Sequence, residues 1–176
     1  MIRPADPAGD AATCAAIYRP HVHGPASFEE VAPGAAKMGE RIARVMATHP
    51  WLVAEVDGEV VGFAYASPHR ERAAYRWACD VAVYVDHGHR RCGVGRELYE
   101  ALLPLLRERG FHVACAGITL PNDASVRLHQ SLDFEPVGVY REIGWKAGAW
   151  RDVGWWQLRL GSAGGVPAEP LLPVRR

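Results

Sequence analysis

HRRCGVG, residues 89–95, runs directly into RELYEALLPLLRERG, residues 96–110. Leu98, Leu102 and Leu105 recur at i, i+4 and i+7 in the second segment, which predicts one apolar face of a helix. Ahead of the first segment, WACDVAVYV (77–85) is an apolar run rich in β-branched residues, which predicts a strand. The two arginines and two glycines therefore lie in a turn between strand and helix. Backbone N–H groups and the positive end of a helix dipole make such a turn a seat for an anion, and a phosphate is the first expectation. A dinucleotide loop would need a third glycine, but Arg96-Glu97-Leu98 follows Gly95. A nucleoside-triphosphate loop would end Gly-Lys-Ser/Thr, which is also absent. What remains is Arg90-x-x-Gly93-x-Gly95.

Outward from this unit the pattern alternates. IRPA (2–5) predicts a short first strand, residues 6–18 a helix, and Met38, Ile42 and Val45 a second amphipathic helix within residues 35–49. WLVAEV (51–56) and VVGFAYA (60–66) flank Asp57-Gly58 and Glu59, a strong hairpin signal because glycine accepts the positive φ of a tight turn. FHVACAGI (111–118) predicts a strand, residues 122–132 a short helix, and PVGVYREIGWKAG (136–148) with AWRDVGWWQLRL (149–160) two long final strands. The sum is an α/β domain over residues 1–160, with GSAGGVPAEPLLPVRR (161–176) as a Gly/Pro-rich tail.

The chain has 176 residues, 49% of them hydrophobic, which suits one domain with a sizeable core. Twenty Lys and Arg balance twenty Asp and Glu, so no basic field invites nucleic acid or an anionic membrane. Neither a secretory pattern near Met1 nor an apolar run of the ~20 residues a bilayer needs is found, and a cytoplasmic protein is expected. Cys14, Cys79, Cys92 and Cys115 are widely spaced and read as small buried hydrophobes. His21-x-His23 and His87-x-His89 lack a third ligand at suitable spacing, so no metal is expected.

The segments PASFE (25–29), AYRW (74–77), LPND (120–123), SVRLH (125–129) and KAGAWRDVGWWQ (146–157), in this order with the Arg90 to Gly95 loop, resemble the Gcn5-related N-acetyltransferase superfamily. Within it they are similar to the phosphinothricin and methionine-sulfone acetyltransferase branch, from about Ile2 to Leu160. The resemblance implies a twisted mixed sheet with splayed central strands flanked by helices, acetyl-CoA as co-substrate, and a homodimer. It implies transfer of acetyl to the amino group of a small acceptor such as phosphinothricin, methionine sulfoximine or methionine sulfone, an activity of the kind that gives herbicide resistance. A different amine, at a protein N-terminus or on an amino sugar, and a non-catalytic acyl-CoA sensor are the rival expectations.

By the same resemblance Val83, Tyr84 and Val85 offer main chain to the acetyl and pantetheine groups. Arg90, Arg91, Cys92, Gly93, Val94, Gly95 and Arg96 form the pyrophosphate loop, and Asn122 reaches the pantetheine arm. Asn122 also suits a helix cap. Phe28, Arg70, Arg72, Tyr75 and Tyr84 match positions that bind the acceptor; two cations there fit a carboxylate and would repel a polyamine. Strand alternation sets Asp80, Ala82 and Tyr84 on one face and Cys79, Val81, Val83 and Val85 on the other. An aspartate inside an apolar strand is a candidate general base, one methylene shorter than the glutamate usual in the branch. His129, where the branch also has histidine, is the candidate partner or acid, since imidazole titrates near neutral pH. Direct attack of the amine is expected, because no cysteine has a catalytic partner by spacing.

Overall fold

Two-residue turns close the first and last hairpins of the sheet. Asp57 and Gly58 (φ 51° and 82°) join β2 (Trp51–Val56) to β3 (Glu59–Pro68), and Ala147 and Gly148 (φ 50° and 72°) join β6 (Glu135–Lys146) to β7 (Ala149–Arg159). Two successive positive φ values match the right-handed twist of the strands they connect. The computed structural model describes residues 1–161 and 167–170. With β1 (Ile2–Pro4), β4 (Ala78–Val85) and β5 (Val113–Leu120), these strands form one seven-stranded sheet in the order β1-β2-β3-β4-β5-β7-β6. Every pairing is antiparallel except β4 with β5.

The helices α1 (Ala11–His23), α2 (Ala35–Met46), α3 (Val94–Glu108) and α4 (Asp123–Gln130) cover the sheet. On one face, Ile17, Tyr18 and Val22 of α1 and Met38 and Ile42 of α2 bury Trp51, Val53 and Phe63. On the other, α3 packs Leu98, Leu102 and Leu106 over Ala64, Val81 and Ala116. The buried stripe of α3 passes through Leu106, with the expected Leu105 half-buried beside it. α1 begins five residues later than expected. Asp10 explains the delay: its carboxylate accepts from the Asp6 N–H (2.7 Å) and from Arg3 of β1 (2.8 and 2.9 Å), holding residues 6–10 as a turn. Beyond Pro20 the helix runs on to His23, and the Gly24 N–H donates to the Pro20 carbonyl.

The sheet opens at its centre. β4 and β5 pair only at Ala78 with Val113, Cys79 with Ala114 and Asp80 with Cys115. Beyond them β4 stays paired to β3 and β5 to β7, so the two strands diverge. The Asp86 N–H donates to the Val61 carbonyl (2.8 Å). In an antiparallel ladder alternate residues point to alternate sides, so Tyr84 and Ala82 bond to β3 while the N–H groups of Val83 and Val85 face the opening.

Among the described residues no helix is long and apolar enough to cross a membrane. The tail expected over 161–176 lies largely outside the described residues. Within it, the Ala168 carbonyl accepts from the Trp77 indole (2.8 Å) and Glu169 pairs with Arg76. Of the cysteines expected to be buried, Cys14 and Cys79 are; Cys115 is half-buried and Cys92 is exposed, because its turn is bare of covering side chains.

Candidate active site

The divergence of β4 and β5 leaves a cavity of about 520 Å³ on the α1/α2 face of the sheet. Asp80, Ala82 and Tyr84 of β4 line it, as the alternation predicts, with Val81 between them, together with Tyr65 and Ser67 of β3 and Gly117 and Thr119 of β5. Trp155 of β7 forms a wall. Gly117 permits this, because a Cβ there would stand 3.2 Å from the Trp155 ring. Tyr140 and Ile143 enter from β6, whose register shifts between Tyr140 and Gly144.

Ala26, Ser27 and Phe28 of the α1–α2 loop and Val153 of β7 complete the lining. Glu29 anchors that loop: its carboxylate takes both guanidinium nitrogens of Arg41 (2.8 and 3.0 Å) and the Tyr18 hydroxyl (3.0 Å). Lys146 of β6 donates to the Glu29 carbonyl. Burial pushes the Glu29 carboxyl upward, and the Arg41 and Tyr18 bonds outweigh it to leave a net downward shift. The Phe28 ring lies over Gly144, where any Cβ would overlap it.

Asp80 sits at the last paired residue before the strands part. Its Oδ1 is 2.6 Å from His69 Nδ1, and His69 in turn meets the Tyr75 and Trp155 rings edge-on, each at 5.8 Å. Burial raises the Asp80 carboxyl above the ordinary range, against the opposing pull of His69 and Arg70. Sequence reasoning missed His69. Only the β3–β4 register reveals it: Ser67 faces Asp80, and His69 is two residues on. Cys115 lies beside Asp80 with its thiol pushed up to about 11 by burial, a poor nucleophile at neutral pH. Spacing along the chain does not show this cross-strand neighbour, and direct attack of the amine remains the expected route.

The acceptor candidates divide. Phe28 and Tyr84 line the cavity. Arg70 lies at its rim, its guanidinium 6.0 Å from the Trp155 ring, while exposed Arg72 and Tyr75 are outside the lining. His129 is not brought to Asp80's cavity. It is 3% exposed, donates from Nδ1 to the Ser125 carbonyl (2.8 Å) and accepts at Nε2 from the Tyr99 hydroxyl (3.1 Å), and burial lowers its pKa.

The glycine turn lies at the start of α3. Arg91 and Gly93 are both left-handed (φ 64° and 86°), and Gly95 lies so near α4 that a Cβ would stand 3.3 Å from Leu128. Val94 is buried as an anchor, Cys92 is exposed, and Arg90 donates to His87 Nε2 (2.7 Å). Arg96 points away, binding the Ser131 carbonyl (2.9 Å) and Glu100. Asn122 caps α4 by accepting from the Ser125 N–H (3.2 Å). Two strand amides that face the opening, a helix start and two cations therefore lie along one open edge, an arrangement suited to a long ligand with an anionic end.

Residues 19–134 match the family described as acetyltransferase (GNAT). The chain is 40% identical to the phosphinothricin N-acetyltransferase of Streptomyces viridochromogenes, over 98% of this chain and 93% of that protein. It is 38% identical to the L-methionine sulfoximine/L-methionine sulfone acetyltransferase of Salmonella typhimurium, over 67% and 69% of the two. A GNAT superfamily phosphinothricin acetyltransferase from Sinorhizobium meliloti, solved in complex with AcCoA, superposes with a TM-score of 0.91 at 34% identity, covering 96% of this chain and 93% of that one.

Proposed function

The chain belongs to the acetyltransferase (GNAT) family, and we propose that it moves acetyl from acetyl-CoA to the amino group of a small anionic amino-acid-like acceptor, of the class of phosphinothricin, methionine sulfoximine or methionine sulfone. One observation carries the reading: a half-buried carboxylate, Asp80, stands at the parting of β4 and β5, with the cavity on its own face and the Val83 and Val85 amides on the open edge beyond it.

Bound acetyl-CoA supplies the thioester carbonyl that the amine attacks. The Val83 and Val85 N–H groups donate to that carbonyl and to the pantetheine, Tyr84 main chain continues the strand between them, and Asn122 adds a bond from the start of α4. Arg90, Arg91 and the N–H groups of residues 92–95 hold the pyrophosphate at the positive end of α3. Arg96 serves to tie α3 to the end of α4. Asp80 takes the proton of the incoming ammonium, directly or through one water, while His69 fixes one carboxylate oxygen and leaves the other free. Arg70 receives the acceptor's carboxylate at the rim, with Phe28, Tyr84 and Trp155 around its side chain; Arg72 and Tyr75 act from the mouth. His129 is the candidate donor to the departing thiolate through Nε2, which accepts from Tyr99 and must first leave it and take up a proton.

The protein acts in the cytoplasm as a homodimer. Support for the dimer comes from Val137, Val139, Ile143, Trp145 and Trp150, all exposed on the last hairpin, since clustered exposed apolar residues mark contact surfaces. Sedimentation equilibrium should give twice the chain mass; a single chain mass at micromolar concentration would refute it.

Thiol release from acetyl-CoA across a panel of free amino acids, peptide N-termini and amino sugars tests the acceptor. Saturable turnover is expected on the anionic amino-acid analogues, with Asp80→Asn reducing kcat by about 10²- to 10⁴-fold and His129→Asn lowering it as well. Turnover on peptides or amino sugars alone would replace the acceptor class. An unchanged kcat in Asp80→Asn would remove the base.

A further inference from the structure

Where the sheet parts, three consecutive neighbours in it each contribute one side chain to a single point. His69 follows the end of β3, Asp80 lies on β4 and Cys115 on β5, and one ligand atom from each lies within 4.8 Å of the others. Asp80 and Cys115 are register partners, so their side chains rise from the same face; all three are half-buried, and Asp80 lines the cavity. Among the described residues no other trio of His, Cys, Asp or Glu meets in this way.

We propose that His69, Asp80 and Cys115 form a binding site for a divalent ion of the Zn²⁺ class, and that its occupation inhibits the enzyme by capturing the carboxylate. The inhibitory half rests on Asp80 being the base; the binding half does not.

The donor set is imidazole nitrogen, carboxylate oxygen and thiolate sulfur, a mixture that suits Zn²⁺ or Co²⁺ and disfavours Mg²⁺ or Ca²⁺, which seek all-oxygen surroundings. With metal–ligand bonds of about 2.0–2.3 Å, tetrahedral ligand atoms stand roughly 3.5 Å apart, so side-chain rotations contract this cluster onto one ion. The His69–Asp80 bond breaks as this happens. Three protein ligands leave a fourth position, which faces the cavity lined by Asp80 and takes water. Each ligand supplies the electron pair of its own bond. His69 binds through Nδ1 with its proton on Nε2, Cys115 releases its thiol proton to solvent, and no oxidation state changes.

Chelator-treated protein titrated with Co²⁺ should bind one ion per chain and develop near-ultraviolet thiolate-to-metal absorption. Cys115→Ala should lose that absorption and weaken Zn²⁺ binding, read by calorimetry, at least about tenfold, since even an outer partner of a ligand is worth that much. Metal-free turnover should survive in this variant, because the thiol takes no part in the transfer, while inhibition of the wild type by Zn²⁺ should be competitive with the acceptor amine. Absence of the thiolate band, its loss in Cys92→Ala instead, or equal Zn²⁺ affinity in Cys115→Ala would overturn the site. Binding without inhibition would overturn the inhibitory half. If no acceptor is turned over, the Co²⁺ spectrum still decides the site, and the failure belongs to the proposed activity alone.

Discussion

Asp80 is the proposed base, and its neighbours fit an aspartate to that role. His69 holds Oδ1 at 2.6 Å and burial raises the carboxyl's proton affinity, two effects that favour one fixed orientation and a stronger base. His69→Ala should therefore lower kcat by about tenfold, equivalent to ~1.4 kcal/mol, with the acceptor KM little altered. An equal rise in KM with kcat unchanged would make His69 a binding residue rather than one that positions the base. The motifs pointed to Asp80, Asn122 and the glycines. His69 and Cys115 stayed hidden because each reaches Asp80 across a strand pairing, and no local pattern encodes that pairing.

At the scale of elements, the cavity depends on how the α1–α2 loop is tied down. Glu29 joins α1 through Tyr18, α2 through Arg41 and β6 through Lys146, so one carboxylate and its carbonyl locate Ser27 and Phe28 over the site. Glu29→Ala should raise the acceptor KM about tenfold, ~1.4 kcal/mol of lost binding, and leave the KM for acetyl-CoA unchanged. Parallel rises in both would show a general loosening instead. Hairpins were legible from Asp57-Gly58 because the turn residues carry their own φ preference. The start of α1 was not: a tertiary bond from Arg3 holds Asp10 and keeps residues 6–10 out of the helix.

For the whole molecule, that same bond ties the edge strand to the first helix. Asp10 is almost fully buried, and the Arg3 bonds lower its carboxyl below the ordinary value. A depressed folded value means that the pair stabilises the fold above the unfolded carboxylate pKa, near 3.9, and that this contribution is lost as pH falls through the lower folded value. Arg3→Ala should cost ~2 kcal/mol near neutral pH, a fall in Tm of about 4–8 °C. Thermal melts of both proteins should converge as the pH falls below the unfolded carboxylate value; a constant difference would assign the effect to packing of the Arg3 side chain.

The sequence by itself determined the order of strands and helices, the glycine turn before α3 and the face of β4 that carries Asp80, because periodicity, turn chemistry and motif spacing are local properties of the chain. Only the tertiary structure decided where β4 and β5 separate, which side chains line the gap, that His129 is held by Ser125 and Tyr99 rather than brought to Asp80's cavity, and that a histidine and a cysteine flank the aspartate. Those outcomes depend on registers between strands distant in sequence, and the packing of the complete sheet sets them.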